Sequence, residues 1–392
     1  MEEKNSEQVW YRLHHARRRR RQGVVALLLL TAMILALGIA GLVTPDRALS
    51  ESENRKLAQL PAFSWDALTD GSYFAAWEDY LADQFFRRDD WIALDLQFLR
   101  AAGRRESNGV YLCADGYLME PPTAPQEDGK TEALNAFAAR HSELNLNMAV
   151  IPNAACILSD KLPSYAPVRD QRADLLALAE SLEGVRFLNV TDALSSHADE
   201  ELYYKTDHHW TSLGARRAFE AMARDMGIDE PLSDYDVYTV STDFEGTLAS
   251  KSGSHAVRDS VQICIPKADV QYYVTYEESG ERSGSIYVRQ CLEEKDKYTV
   301  FFGGNHSRVD IRTTAESERC LLLVKDSYAN AFVQFLLPYY DRIVMIDPRY
   351  YYGSADTLVQ REKITDVLFL YNANTYFADT TLAEFLKPAD AA

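Results

Sequence analysis

Tyr204-Lys205-Thr206-Asp207-His208-His209-Trp210-Thr211-Ser212-Leu213-Gly214 puts a carboxylate and two imidazoles within three residues, just ahead of a helical pattern. In an extended or turn segment alternate side chains point the same way, so Asp207 lies beside His209 while His208 turns elsewhere. A carboxylate beside an imidazole sets its orientation and prepares it to take a proton from a hydroxyl. A metal site built on Asp207, His208 and His209 is the rival reading. Adjacent histidines diverge, however, and no third or fourth ligand stands at useful spacing. A hydrogen-bonded loop histidine is the plainest alternative.

The hydroxyl that such a pair would serve stands 118 positions beyond His209, at Ser327. Leu321-Leu322-Leu323-Val324 reads as a buried strand and runs into Lys325-Asp326-Ser327-Tyr328-Ala329-Asn330-Ala331-Phe332, which opens a helix ending near Pro338. A serine at a strand-to-helix turn is presented at the carboxyl edge of the sheet, where open α/β folds bind ligands. The same position suits a simple helix N-cap, by Asp326 or Ser327.

Outward from these two places the pattern is α/β. Met148 to Ile151, closed by Pro152, is a short apolar run suited to a strand buried on both faces. Asp170 to Glu183 is amphipathic and stops at Gly184, and Val185 to Val190 is a further strand. Strand, helix, strand in that order implies a parallel sheet with a right-handed crossover. Arg342 to Ile346 and Val367 to Leu370 bring the count to five parallel strands. The last two end at Asp347-Pro348-Arg349-Tyr350 and at Tyr371-Asn372-Ala373-Asn374, facing the same cleft as Ser327. An Asn at such an edge can donate an N–H to an oxyanion. Ala114-Asp115-Gly116 is a hairpin signal, Lys130 to Leu144 a helix, and residues 228–315 a β-rich insertion. Ser72 to Arg100 reads as one helix whose aromatics are expected in the core.

Composition is globular, with 47% hydrophobic and 26% charged residues among 392. Residues 1–22 hold seven basic against three acidic side chains, a net of +4, so the remainder carries −22 of the −18 total. An acidic body repels phosphate backbones and argues against nucleic-acid binding. Gly23 to Val43 is a 21-residue stretch without charge. At 1.5 Å per residue it is about 31 Å long, enough to cross a bilayer core. Arg17 to Arg21 directly precede it, which puts the short N-terminus inside the cell and the rest outside. A cleaved signal peptide competes, but the run is long and Gly41-Leu42-Val43-Thr44-Pro45 is a poor cleavage site. Five widely spaced cysteines suit neither a metal site nor a dense disulfide framework; one disulfide and free thiols both remain open. The expected organisation is a cytoplasmic basic tail (1–22), a transmembrane anchor (23–43), a stalk and leading helix (44–105), and an α/β domain (106–392).

The chain resembles the SGNH hydrolase superfamily with its blocks rotated. The superfamily's last two strands and its Asp-His block come first here, and the Ser, second and Asn strands follow. The same rotation and an Asp-x-His-Trp spelling occur in the SGNH-like proteins of alginate acetylation. The chain is most similar to the DHHW family of bacterial membrane-anchored proteins. The stretches that carry this are Asn54-Arg55, Asn108-Gly109-Val110-Tyr111-Leu112, Asp160-Lys161-Leu162-Pro163, Asp207-His208-His209-Trp210, Gly246-Thr247-Leu248, Lys325-Asp326-Ser327-Tyr328-Ala329-Asn330 and Tyr371-Asn372.

The resemblance implies a three-layer α/β/α fold around a parallel five-stranded sheet. It also implies a type II, single-pass, extracytoplasmic O-acetyltransferase of a cell-surface polysaccharide, without cofactor, partnered by a membrane-bound O-acyltransferase. A carbohydrate acetyl-esterase and a non-catalytic glycan-binding or assembly protein are the alternatives. By the same resemblance Ser327 carries the acetyl group, His209 is the base, Asp207 orients it, and Asn372 or Asn374 completes the oxyanion hole. Lys325 stands where the family has Gly, and no Gly closes the second strand, which brings in Arg349 and Tyr350. Tyr328 and His208 are further substrate-side candidates.

Overall fold

The computed structural model describes residues 2–50, 52–53, 55–126 and 128–388. Glu51 of the stalk, Asn54 of the Asn54-Arg55 pair and the C-terminal four residues lie outside the described residues. The chain divides into two compact units, Met1–Asp95 and Leu96–Ala392.

In the first unit a helix runs from Glu2 to Val43, and its Arg18–Val43 portion is long and apolar enough to cross a membrane. The expected helix from Ser72 to Arg100 is two helices, Ser72–Asp83 and Arg88–Ala101. Arg87, between them, takes a positive φ of 53° that breaks helical continuity. Their aromatics are not core residues: Phe74 and Phe98 are 64% and 66% exposed.

The second unit is built on an eight-stranded mixed sheet, larger than the parallel five-stranded sheet expected. The five expected strands are present as Asn145–Ile151, Arg186–Phe187, Cys320–Lys325, Arg342–Ile346 and Asp366–Asn372, all mutually parallel. The strand expected over Val185 to Val190 is reduced to Arg186–Phe187. Three more strands come from the β-rich stretch: Arg308–Thr313 pairs antiparallel with Arg342–Ile346, Tyr272–Tyr276 pairs with it in turn, and Arg282–Ser283 forms the edge. An antiparallel extension needs no crossover helix, so its segments carry no helical periodicity and read from sequence as a separate insertion.

Alternate residues of the parallel strands face two layers. Ala149, Ile151, Leu321, Leu323, Leu368 and Leu370 pack with the helix Ser212–Met222 and with Phe332 and Phe335. Met148, Val150, Leu322, Val324, Val367 and Phe369 pack with the helices Lys130–Arg140, Gln171–Ser181 and Ala355–Glu362 on the other side. The result is a three-layer domain with an uninterrupted core on each face. The five cysteines are free.

Candidate active site

Parallel pairing puts the carboxyl ends of four strands at one edge. The serine strand lies between Arg342–Ile346 and Asp366–Asn372, and the latter pairs Asn372 with Ile151. Ser327 occupies the N-cap position of the short helix Tyr328–Phe332, but its side chain makes no capping bond. Asp326 caps instead: Oδ1 accepts from the Tyr328 N–H at 2.9 Å, and Oδ2 accepts from the Asn372 N–H at 2.9 Å. One buried carboxylate thus ties the serine turn to the neighbouring strand end and leaves the Ser327 hydroxyl unspent. Burial pushes the Asp326 carboxyl up, against the pull of those backbone N–H groups.

The hydroxyl meets His209. Nε2 of the ring lies 2.8 Å from Ser327 Oγ, and Nδ1 lies 2.5 Å from Asp207 Oδ1. With Nδ1 donating to the carboxylate, Nε2 is the acceptor for the serine proton. Asp207 and His209 are both buried. Burial, with His208 alongside, drives the imidazole well below its ordinary value despite the attraction of Asp207. Burial works against the Asp207 charge too, but both imidazoles and the Thr247 N–H outweigh it and hold the carboxyl far below the usual carboxylate range. A neutral base between an ionised carboxylate and a serine hydroxyl is the arrangement through which a serine oxygen becomes nucleophilic.

Several of the groups that hold this chain of bonds lie outside the motifs' obvious chemistry. Thr247 donates to Asp207 Oδ2 with both its N–H, at 2.7 Å, and its hydroxyl, at 2.9 Å. Gly246 lets that approach occur, since a Cβ there would sit 2.2 Å from the Asp207 Cβ. Tyr298 stacks on the His209 ring at 3.8 Å and 14°, and its hydroxyl donates to the Ser327 carbonyl at 3.0 Å. His208 covers the opposite side, with ring centroids 3.9 Å apart, and its Nδ1 is 2.8 Å from Thr247 Oγ1. Asp259 accepts from the Lys205 and Thr206 N–H groups and shapes the turn before Asp207. The Gly246-Thr247 stretch is recognisable in sequence but carries no titratable group. Tyr298 has no local signature.

The other candidates separate cleanly. Asn372 Oδ1 accepts from the N–H groups of Asn374 and Thr375 at 2.9 and 3.4 Å, so the orientation of its amide is set. Its Nδ2 is buried without a partner. Asn374 is engaged elsewhere, accepting from the Thr123 N–H and donating to the Pro121 carbonyl. Arg349 forms a two-point pair with Asp347 at 2.8 and 2.6 Å. Tyr350 is half exposed beside it, with the guanidinium 5.5 Å from its ring centre. The Tyr328 hydroxyl donates to the His208 carbonyl at 2.5 Å, and Trp210 Nε1 donates to the Tyr328 carbonyl at 3.0 Å. Both are buried braces of the site. Lys325 is buried, donating to Asn330 at 2.9 Å and Asn305 at 3.1 Å, and burial lowers its amine to about 8.

Among the described residues, Asp207, His208 and His209 are a His/Cys/Asp/Glu group whose donor atoms lie within 4.8 Å of one another. The nitrogens and oxygens that would ligate are already joined to Ser327, Thr247 and each other. The donor set therefore fits a hydrogen-bonded relay better than a cation site.

Residues 115–307 match the family profile of the SGNH hydrolase-like domain of the acetyltransferase AlgX. The chain carries an SGNH hydrolase-like domain. The matched span takes in Asp207 to Trp210 and ends before Ser327. A DHHW family protein from Eubacterium siraeum is 26% identical, over 72% of this chain and 95% of its own, with a TM-score of 0.63. PatB1 from Bacillus cereus, solved with a sulfonyl adduct, is 20% identical over 71% of this chain and 98% of its own, with a TM-score of 0.60, a likeness of fold alone. No curated protein matches the chain.

Proposed function

We propose that this SGNH-like chain is an extracytoplasmic O-acetyltransferase acting on a cell-surface polysaccharide through an acetyl-Ser327 ester. The observation that carries the proposal is the continuous bond chain from Asp207 through His209 to a Ser327 hydroxyl released from capping. In the first half-reaction His209 Nε2 takes the hydroxyl proton as Ser327 Oγ adds to the acetyl carbonyl, and then returns that proton to the departing group. The partnerless Nδ2 of Asn372 is the donor for the oxyanion. In the second half-reaction a sugar hydroxyl loses its proton to His209 and attacks the ester, which regenerates Ser327. The apolar helix serves as an uncleaved anchor with the basic tail inside, and a membrane-bound O-acyltransferase delivers the acetyl group. The order of blocks along the chain fits a circularly rotated SGNH arrangement.

The test is turnover of a chromogenic acetyl ester by the full chain in detergent, with Ser327→Ala and His209→Ala beside the parent. The expected result is parent turnover that falls by about 10³-fold or more in each variant, with a serine-reactive probe labelling Ser327 in the parent. Equal turnover in all three proteins would overturn the assignment. Absence of both turnover and labelling in the parent would favour a binding role.

A further inference from the structure

The first unit presents a greasy groove where its chain leaves the apolar helix. The groove has a volume of about 630 Å³, with Ile34 and Leu42 on one side and Leu60, Trp77, Leu81 and Phe85 on the other. From Ile34 to Leu42 is about 12 Å of helix at 1.5 Å per residue. The helix Ser72–Asp83 therefore runs beside the last turns of the apolar helix. If Gly23 to Val43 spans a membrane, those neighbours are carried to bilayer depth.

Their chemistry suits that depth. Tyr73, Trp77 and Leu81 recur every four residues and share a face of the helix, with Phe85 just past its end, whereas Glu78 and Asp79 are exposed on another. Phe63, Trp65, Tyr73, Trp77 and Tyr80 form a run of edge-on rings with centroids 5.2 to 6.4 Å apart. Phe63, Trp65, Phe74 and Leu81 are 55%, 71%, 64% and 59% exposed, and none belongs to a core cluster. A soluble surface rarely leaves so much contiguous apolar area in water.

The segment is also held in place. Arg55 makes a two-point pair with Asp83 at 2.8 and 2.5 Å, and Gln84 accepts from the Arg47 N–H at 2.9 Å. Arg47, Arg55 and Arg88 each pair with a carboxylate of the same unit. Those guanidiniums are engaged internally, which favours insertion of apolar side chains over recognition of anionic headgroups.

We propose that residues 57–86 form an interfacial collar whose aromatic face lies in the membrane leaflet where the span ends, with a lipid acyl chain in the groove. The inference rests on reading Gly23–Val43 as a span and is independent of the acyl-transfer chemistry. The test reconstitutes the full chain in phosphatidylcholine vesicles with brominated acyl chains and reads tryptophan quenching, with a Trp65→Phe/Trp77→Phe variant beside the parent. The expected result is strong quenching in the parent and loss of most of the quenchable emission in the variant. Equal quenching in both, with the protein retained in the vesicles, would overturn the collar alone. Failure of the parent to remain with vesicles after alkaline washing would overturn the span and the collar together. Turnover of the acetyl ester is unaffected by either outcome.

Discussion

At the scale of single residues the site is a set of positions with little slack. His209 is sandwiched between Tyr298 and His208 while Asp207 and Ser327 hold its two nitrogens, so its ring is restrained on four sides. Because burial lowers the imidazole pKa, the neutral base is the dominant form at neutral pH. Activity should therefore rise with pH through a midpoint below about 6.5, the ordinary imidazole value, and then stay level. A pH–rate profile checks this, and a midpoint above that value would contradict it. Asp207→Asn removes the charge that selects the tautomer and should lower kcat by about 10³ to 10⁴. Gly246→Ala forces a methyl to within 2.2 Å of the buried Asp207 Cβ and should lower both activity and melting temperature. Asn372→Ala should lower kcat by about 10² to 10³ if its Nδ2 faces the oxyanion. It also removes a helix cap worth about 1 kcal/mol, so denaturation must be measured beside the kinetics. Asp207 and His209 were readable because titratable groups at i, i+2 carry their chemistry in the spelling. The sequence offered Asn372 and Asn374, with Arg349 and Tyr350 behind them, as oxyanion candidates, and only the hydrogen bonds set Asn374, spent on Thr123 and Pro121, apart from Asn372.

At the scale of elements, the parallel strands bring the chemistry to one edge, but the β-rich segments clamp it there. Tyr298 comes from the connection between the added strands Arg282–Ser283 and Arg308–Thr313, and Gly246-Thr247 from the connection between Tyr235–Phe244 and Asp259–Pro266, which pair as a separate two-stranded sheet; neither belongs to the five-stranded frame. Tyr298 is a positioning residue: Tyr298→Phe keeps the ring stack and loses the bond to the Ser327 carbonyl, whereas Tyr298→Leu loses both. Single-turnover measurements should show a larger fall in acylation rate for Leu than for Phe, by about tenfold, with KM little changed. Equal effects of the two would leave the stack without a role. The serine strand carries its own signature in buried Lys325. Its folded-state amine sits near 8, below the unfolded value of about 10.4. Between those values the unfolded chain binds the additional proton, so stability should rise with pH there. Lys325→Met should lack that rise, as chemical denaturation from pH 7 to 10.5 would reveal. Strand identity was legible as apolar runs bounded by Pro, Asp or Asn. The size of the sheet was not, because the added antiparallel strands are short and alternate in a way that any β-rich insertion shares.

At the scale of the whole molecule, the chain divides into two units of different composition. The apolar helix and the helix Ser72–Asp83 belong to one unit, the acidic α/β body belongs to another, and the helix Arg88–Ala101 runs across the boundary between them. Aromatic spacing along Ser72 to Arg100 suggested burial, since periodicity marks an apolar face without saying what covers it. Only the structure shows that no described core takes those rings, the observation on which the proposed lipid contact rests. The sequence by itself determined the α/β order, the five parallel strands, the apolar helix and the Asp-x-His and Ser positions, because periodicity, capping and titratable spelling are local properties. Tertiary structure alone decided that Ser327 gives its hydroxyl to His209 while Asp326 caps, that Thr247 and Tyr298 complete the site, and that the sheet runs to eight strands. Those outcomes depend on contacts between residues tens to more than a hundred positions apart, and no local pattern encodes the distances that closing the sheet imposes.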